Sequence, residues 1–291
     1  MKLVKALLLF IIPTAALAHP GGGLIALDAN TVIFGDSANN VLWRLEKGKK
    51  PEPVFKNFHV HWTTLGLDGN IYAESFQEMG GALFRIDLGG TKHVNVAEEA
   101  DLNVPVFAVG KEGELIFQKD RLIVQRSVDG VVTPFRGSGK VEQGEPFLQQ
   151  VIAYAWAPDG TLYLSDGNRL RRIDSDGIVR IVVQIDGKLL EPKIWNSTGA
   201  ARIWSIAADS RKRVYIALPD IGQVMRIDPN GSGHVIDQYT GGWRVTAVAT
   251  HGDSVFLLES SDKSNVGQRV RVIRGGGKPE LFGQIEIEKQ N

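Results

Sequence analysis

From residue 24 onward the chain alternates short apolar runs with breaks rich in Gly, Asp and Asn. Runs such as TLYLSD (161–166) and RVYIAL (213–218) are dense in Val, Ile, Leu and Tyr and change polarity at every second residue. That is the period of a strand with one face buried. After the N-terminal stretch, no segment holds a helical period for three turns. The breaks are DG, NG and GG pairs, which supply the positive φ of tight hairpins.

Two phrases recur in alternation. The first is strand, turn, strand: LIALDANTVIFGD (24–36), TTLGLDGNIYAES (63–75), FAVGKEGELIFQK (107–119), YAWAPDGTLYLSD (154–166), SIAADSRKRVYIAL (205–218) and TAVATHGDSVFLLE (246–259). The second is a strand beginning a hairpin, as in GNRLRRIDSDG (167–177), GQVMRIDPNG (222–231) and GALFRIDLGG (81–90). A further apolar stretch follows each second phrase, so every period holds four short strand candidates. The first apolar residue after each initial turn is Val32, Ile71, Leu115, Leu162, Val214 or Val255, with spacings of about 39, 44, 47, 52 and 41 residues. The pattern predicts an all-β fold: a six-bladed β-propeller with four antiparallel strands per blade. LFGQIEIEKQ (281–290) supplies the last outer strand, and blade six closes onto blade one through side-chain packing. The longest spacing makes 186–202 an excursion over the entrance face.

The stretch WAPDGTLYLSDGNRLRRIDSDG (156–177) resembles an NHL repeat: an Asp-Gly turn, an apolar strand ending in Asp, then Gly-Asn and a basic-apolar strand. The chain from about residue 22 to 285 is similar to the six-bladed group of NHL, TolB-like and gluconolactonase-like propellers. The gluconolactonase resemblance would imply a metal held by a Glu of the first blade and by Asn and Asp residues of later channel strands. Here the first strand, GGGLIALD, has no Glu, and the later ones lack the Asn-Gly pair. That family's metal set and lactonase mechanism therefore do not carry over.

The N-terminus adds a destination. MKLVK is basic, ALLLFII apolar, and ALA at 16–18 fits a cleavage site, so residues 1–18 read as a signal peptide and 19–291 as one exported domain, secreted or periplasmic. With the signal removed no membrane span remains. The mature chain would begin at His19, whose amine and imidazole suit copper, although a frayed terminus is the favoured reading. Thirty-three basic residues balance 33 acidic ones, which points away from a nucleic-acid partner. There is no cysteine, so thiol catalysis, thiolate metal sites and disulfides are excluded. Asn196-Ser197-Thr198 matches a glycosylation acceptor, with a chance match favoured.

Candidate chemistry gathers at the channel entrance, reached by the second-to-third-strand loops and the connections between blades. Asp36, Asp166 and Glu259 each lie four positions past their marker and share one register. Capping of loop amides is the favoured role for Asp166, and Glu259 is the stronger functional candidate. Glu74 falls one position short and faces the other way unless its strand is bulged. His59 and His61 alternate, so both side chains would leave one strand face, a weak metal-ligand pair with Glu259. No cofactor is evident, and a divalent cation is the one the carboxylates would suit. Trp62, Tyr154, Trp204 and Trp243 offer stacking surface, with Arg202 and Arg244 for an anion, although at least two of the four are expected instead to wedge adjacent blades together. The recurrent Arg44, Arg85, Arg172 and Arg226 read as solvated repeat features. The expectation is one pocket built by His61, Trp62, Trp204, Trp243 and Glu259. It would hold an unidentified small molecule, glycan or protein, or, alternatively, serve a metal-assisted hydrolase, lactonase or lyase. No catalytic residue is assigned.

Overall fold

A computed structural model describes residues 23–77, 80–87, 93–98, 107–185, 201–238, 241–261 and 267–285, with the backbone alone for 61, 75–77, 80–81 and 93–98. These residues form six four-stranded antiparallel sheets, each paired in chain order. The blades span 24–56, 60–98, 108–134, 151–184, 205–238 and 243–285. The fold is the six-bladed propeller that the two alternating phrases imply. The proposed signal peptide and most of the 186–202 excursion lie outside the described residues.

The period-2 pattern explains where the core sits. Val214, Ile216 and Leu218 of strand Val214–Leu218 pack against blade four, and Tyr215 and Ala217 turn to blade six. Each second strand thus feeds two seams, and the core is a ring of apolar layers between blades. The ring closes in the same way. Leu24, Val32 and Phe34 of blade one join Ala247, Phe256, Leu258 and Phe282 of blade six in one cluster, with Phe256 and Phe282 edge to face at 5.3 Å. The last outer strand is Glu280–Ile285 from blade six's own chain, and the first described strand, Leu24–Ala26, stays in blade one.

Five blades share a bulge that period 2 alone does not foresee. Pairing of third with fourth strands slips at Leu42/Trp43, Leu83/Phe84, Leu170/Arg171, Val224/Met225 and Val270/Arg271. The extra residues on the outer strands are Val54, Val96, Val182, Ile236 and Phe282. All are apolar, and Val54, Val182, Ile236 and Phe282 reach inter-blade clusters. A bulge bends a strand and increases its twist, here bringing an outer-strand side chain back to the seam. The Gly275–Gly277 run is a hairpin turn, with φ of +57° and +75° at Gly275 and Gly276 and the Gly277 N–H donating to Arg274 O at 2.9 Å.

Candidate functional site

First strands of five blades enclose a central channel of about 260 Å³. Its wall runs over Leu24–Ala26, residues 62–67, 153–158, 204–208 and 248–250. Trp62 and Trp204 both line it, together with Tyr154 and Trp156. Trp62 also wedges blades two and three, meeting Phe107 edge to face at 6.1 Å. Burial pushes the Tyr154 phenol above its ordinary range. The indole Nε1 of Trp156 donates to Val109 O at 2.9 Å, tying the wall to blade three.

The carboxylates go elsewhere. Asp36, Asp166 and Glu259 occupy equivalent positions of their second strands, as their shared register implies, but each faces the seam toward the preceding blade, and none lines the channel. Asp36 Oδ1 accepts from Asn39 N at 3.1 Å, while Oδ2 takes Asn39 Nδ2 at 2.7 Å and Trp43 Nε1 at 3.2 Å. Asp166 Oδ1 accepts from the N–H groups of Gln149 and Gln150 at 2.7 and 3.2 Å, which is the capping role, and its Oδ2 meets Arg171. Glu259 is gripped by Arg269 Nε at 2.5 Å and by Arg271 through Nε at 2.9 Å and Nη2 at 2.5 Å. Arg271 reaches on to Asp237 of blade five. Burial holds the Asp237 carboxyl above the usual range, against the opposing pull of Arg271.

Two groupings emerge from the expected site. Trp62 and Trp204 share the channel wall. Trp243, Arg269 and Glu259 form the other, with the Arg269 guanidinium 4.3 Å from the Trp243 ring. Arg202 stands 5.5 Å from the Trp204 ring, and its backbone N–H donates to Asp220 Oδ2 at 3.1 Å. Arg244 is half-buried opposite Ser260. Glu74 keeps an unshifted pairing with Leu83 and so faces oppositely to the other carboxylates, as expected.

The histidine geometry differs from the expected alternation. His59 precedes the strand Val60–Leu65, where its Nδ1 meets Asn40 Oδ1 at 2.5 Å. Pairing slips between Val60 and Trp62, so His61 is the extra residue of a bulge. A bulge breaks the period-2 relation that would align the two rings. Among the described residues no group of three His, Asp or Glu has metal-ligand geometry.

Sequence reasoning missed the arginines. Arg171 is fully buried and bonds Asp166, Glu145 Oε2 at 3.1 Å and the Pro146 carbonyl at 2.6 Å. The signal was present in RLRRI: alternation puts Arg171 on the same face as Ile173, which is core, and Arg172 on the other.

No protein-family model matches the chain, and no curated protein matches it. Among solved structures it is similar to a streptogramin B lyase at 14% identity, covering 94% of this chain and 86% of that one, with a TM-score of 0.57. A nidogen/laminin complex gives 14% identity, 90% and 95% coverage and a TM-score of 0.61. The PQQ-bound aldose sugar dehydrogenase of Streptomyces coelicolor gives 15%, 91% and 94%, and 0.54. At these identities the likeness is one of fold, and the fold hosts unrelated activities.

Proposed function

We propose that the chain is an exported propeller that binds a small molecule, glycan or protein partner at the entrance of its central channel. The observation that carries this reading is the wall of the channel. Trp62, Tyr154, Trp156 and Trp204 stand among alanines and threonines, with no Asp, Glu, His, Lys or Arg among the described lining residues. Binding sites are mostly apolar concavities with a few polar groups, of roughly 300–1,000 Å³ for drug-sized ligands. At about 260 Å³ this one suits a single ring or the tip of a larger partner. Export is supported by the basic, apolar and Ala-x-Ala segments of residues 1–18.

The alternative, a metal-assisted hydrolase, lactonase or lyase in the same channel, draws on Glu259, His61 and Asp166 as acid, base or ligands. The two carboxylates are turned to the seams and neutralised by arginine, so the geometry favours binding. The test is a thermal-shift screen of the mature protein, repeated on Leu65→Trp. Leu65 is exposed in the channel wall, so the larger ring narrows the channel without overfilling the core. Ligands of the wild type are expected to lose their shift in the variant. Ligands that shift both proteins equally bind elsewhere, and the channel reading then fails.

A further inference from the structure

The inner strands of blades two, four and six break register on the same rung. Pairing skips His61 between Val60↔Ser75 and Trp62↔Glu74, Ile152 between Val151↔Asp166 and Ala153↔Ser165, and Thr246 between Val245↔Glu259 and Ala247↔Leu258. Blade five places Trp204 there as well, since its N–H donates to Ala217 O at 3.0 Å while Ser205 is the Cα partner of Ala217. Blades two, four and six alternate around the ring, so their inserted residues stand a third of a turn apart. A bulge takes a side chain out of the strand's alternation and re-aims it, which is why bulges cluster beside binding sites.

The chemistry on this rung is specific. Trp204 offers an indole to the channel. Thr246 is 3% exposed, and its Oγ1 has no hydrogen-bond partner. In the channel wall, Thr63 is 5% exposed with its Oγ1 equally unpaired. Of the other hydroxyls in the wall, Ser205 Oγ accepts from Val248 N at 3.1 Å and Thr250 Oγ1 donates to Ala208 O at 2.9 Å, while the buried Tyr154 hydroxyl is also without a partner. Buried hydroxyls are nearly always paired, so Thr63 and Tyr154 left open in the channel wall, with Thr246 open on the rung above it, call for an outside partner. The carboxylates on the adjoining rung, Asp166 and Glu259, are already neutralised by Arg171 and Arg271. A charged ligand would therefore lose its hydration with no counter-charge in the channel wall.

We propose that the bulge rung is the ligand-reading ring of the channel mouth and that the ligand is a neutral saccharide unit. Its C–H face lies on Trp204 and its hydroxyls pair with Thr246 and Thr63, while Ile152 gives an apolar edge. The proposal rests on the channel-binding reading and adds the ligand class and the residues that select it. The test titrates the mature protein with neutral methyl glycosides and short neutral oligosaccharides, with the matching uronates and with neutral aromatic alcohols, followed by tryptophan fluorescence and calorimetry. At least one neutral saccharide should bind, and its uronate should bind at least about 10-fold more weakly. Thr246→Val keeps the shape and should weaken saccharide binding by about 5-fold, one neutral hydrogen bond. Trp204→Ala should abolish the fluorescence change, and Arg211→Ala, far from the rung, should alter nothing. No saccharide binding, or tighter binding of the uronates or aromatic alcohols, overturns the ligand class. Saccharide binding lost in Leu65→Trp but unchanged in Thr246→Val and Trp204→Ala overturns the ring and leaves the channel standing. Binding unchanged in all of these variants overturns both readings.

Discussion

Arg171 and Asp166 are both fully buried, and Arg171 Nη2 and Nε lie 2.9 Å from Asp166 Oδ2. The same slot recurs around the ring with different chemistry. In blade six it holds Arg271 on Glu259, and in blade one Trp43 on Asp36, where a neutral indole N–H replaces the guanidinium. Each acceptor lies four residues past its blade's marker, and each donor lies two residues beyond the third-strand residue paired with that acceptor. The repeat thus preserves a hydrogen-bonded latch at the entrance side of the seam and lets the donor vary. In blade four the latch also holds the incoming chain, because Asp166 accepts the Gln149 and Gln150 N–H groups.

Removing the donor from the blade-four latch leaves a buried carboxylate with only Arg169, 3.9 Å away, as counter-charge. Arg171→Met, which keeps most of the side chain's volume, is expected to cost about 3–5 kcal/mol of stability, the range for breaking a buried ion pair from one side. Urea denaturation at neutral pH measures it. A loss below about 1 kcal/mol, the scale of an exposed pair, would show that solvent screens the latch.

The Asp237 carboxyl gives a pH dependence of defined sign. Burial raises its folded pKa above the ordinary 3.8, so the folded state holds the proton more tightly than the unfolded chain. Its contribution therefore favours folding at low pH and is lost as pH rises from 3.8 through the raised value. Asp237→Asn removes this titration. The stability of the wild type minus that of Asp237→Asn should fall across that window and flatten above it. Urea titrations at stepped pH measure the difference, and a difference that rises with pH contradicts the sign.

Much of this architecture is legible in the pattern of residues. The markers Val32, Leu162, Val214 and Val255 all face the preceding blade, because period 2 fixes which side of a strand a residue takes once one neighbour is known. The bulges are not legible, since an inserted residue such as Val182 or Thr246 looks like one more member of an apolar run. That blindness carries into the site. The alternation that would align His59 and His61 is removed by the bulge, and Trp204, just before the strand Ser205–Ala208, stands on the same rung. Arg171 and Arg271 were hidden by their charge, which reads as solvated until a buried carboxylate is placed opposite.

Gly139 meets two demands at once. Its φ is +59°, and a Cβ there would land on the carbonyl oxygen of Ile123, whose own N–H donates to Gly139 O at 2.9 Å. Gly252 has φ +57° but open space where a Cβ would point. Gly252→Ala should therefore cost only the left-handed backbone penalty of about 1–2 kcal/mol. Gly139→Ala should exceed it by at least about 1 kcal/mol, since backbone must move to relieve the overlap. Equal losses in paired denaturation curves would mean that the connection 135–150 yields freely.

Chelation separates the two functional readings. Both oxygens of Glu259 are held by Arg269 and Arg271, those of Asp166 by Arg171 and two backbone amides, and those of Asp36 by Asn39 and Trp43. A cation at any of these sites would have to displace an arginine, an indole or a backbone donor, and next to Arg171 or Arg271 it would meet like charge. The expected result is that EDTA leaves the melting temperature of the purified protein unchanged and that elemental analysis finds no stoichiometric divalent metal. A metal present at 100 times its dissociation constant would stabilise the fold by about 2.7 kcal/mol. For a domain of this size that moves the melting temperature by roughly 5–10 °C, well within the reach of a thermal scan. A drop of that size on chelation, restored by adding back one metal, would transfer the channel to the metal-assisted alternative and withdraw the arginine latches as the reason these carboxylates are buried.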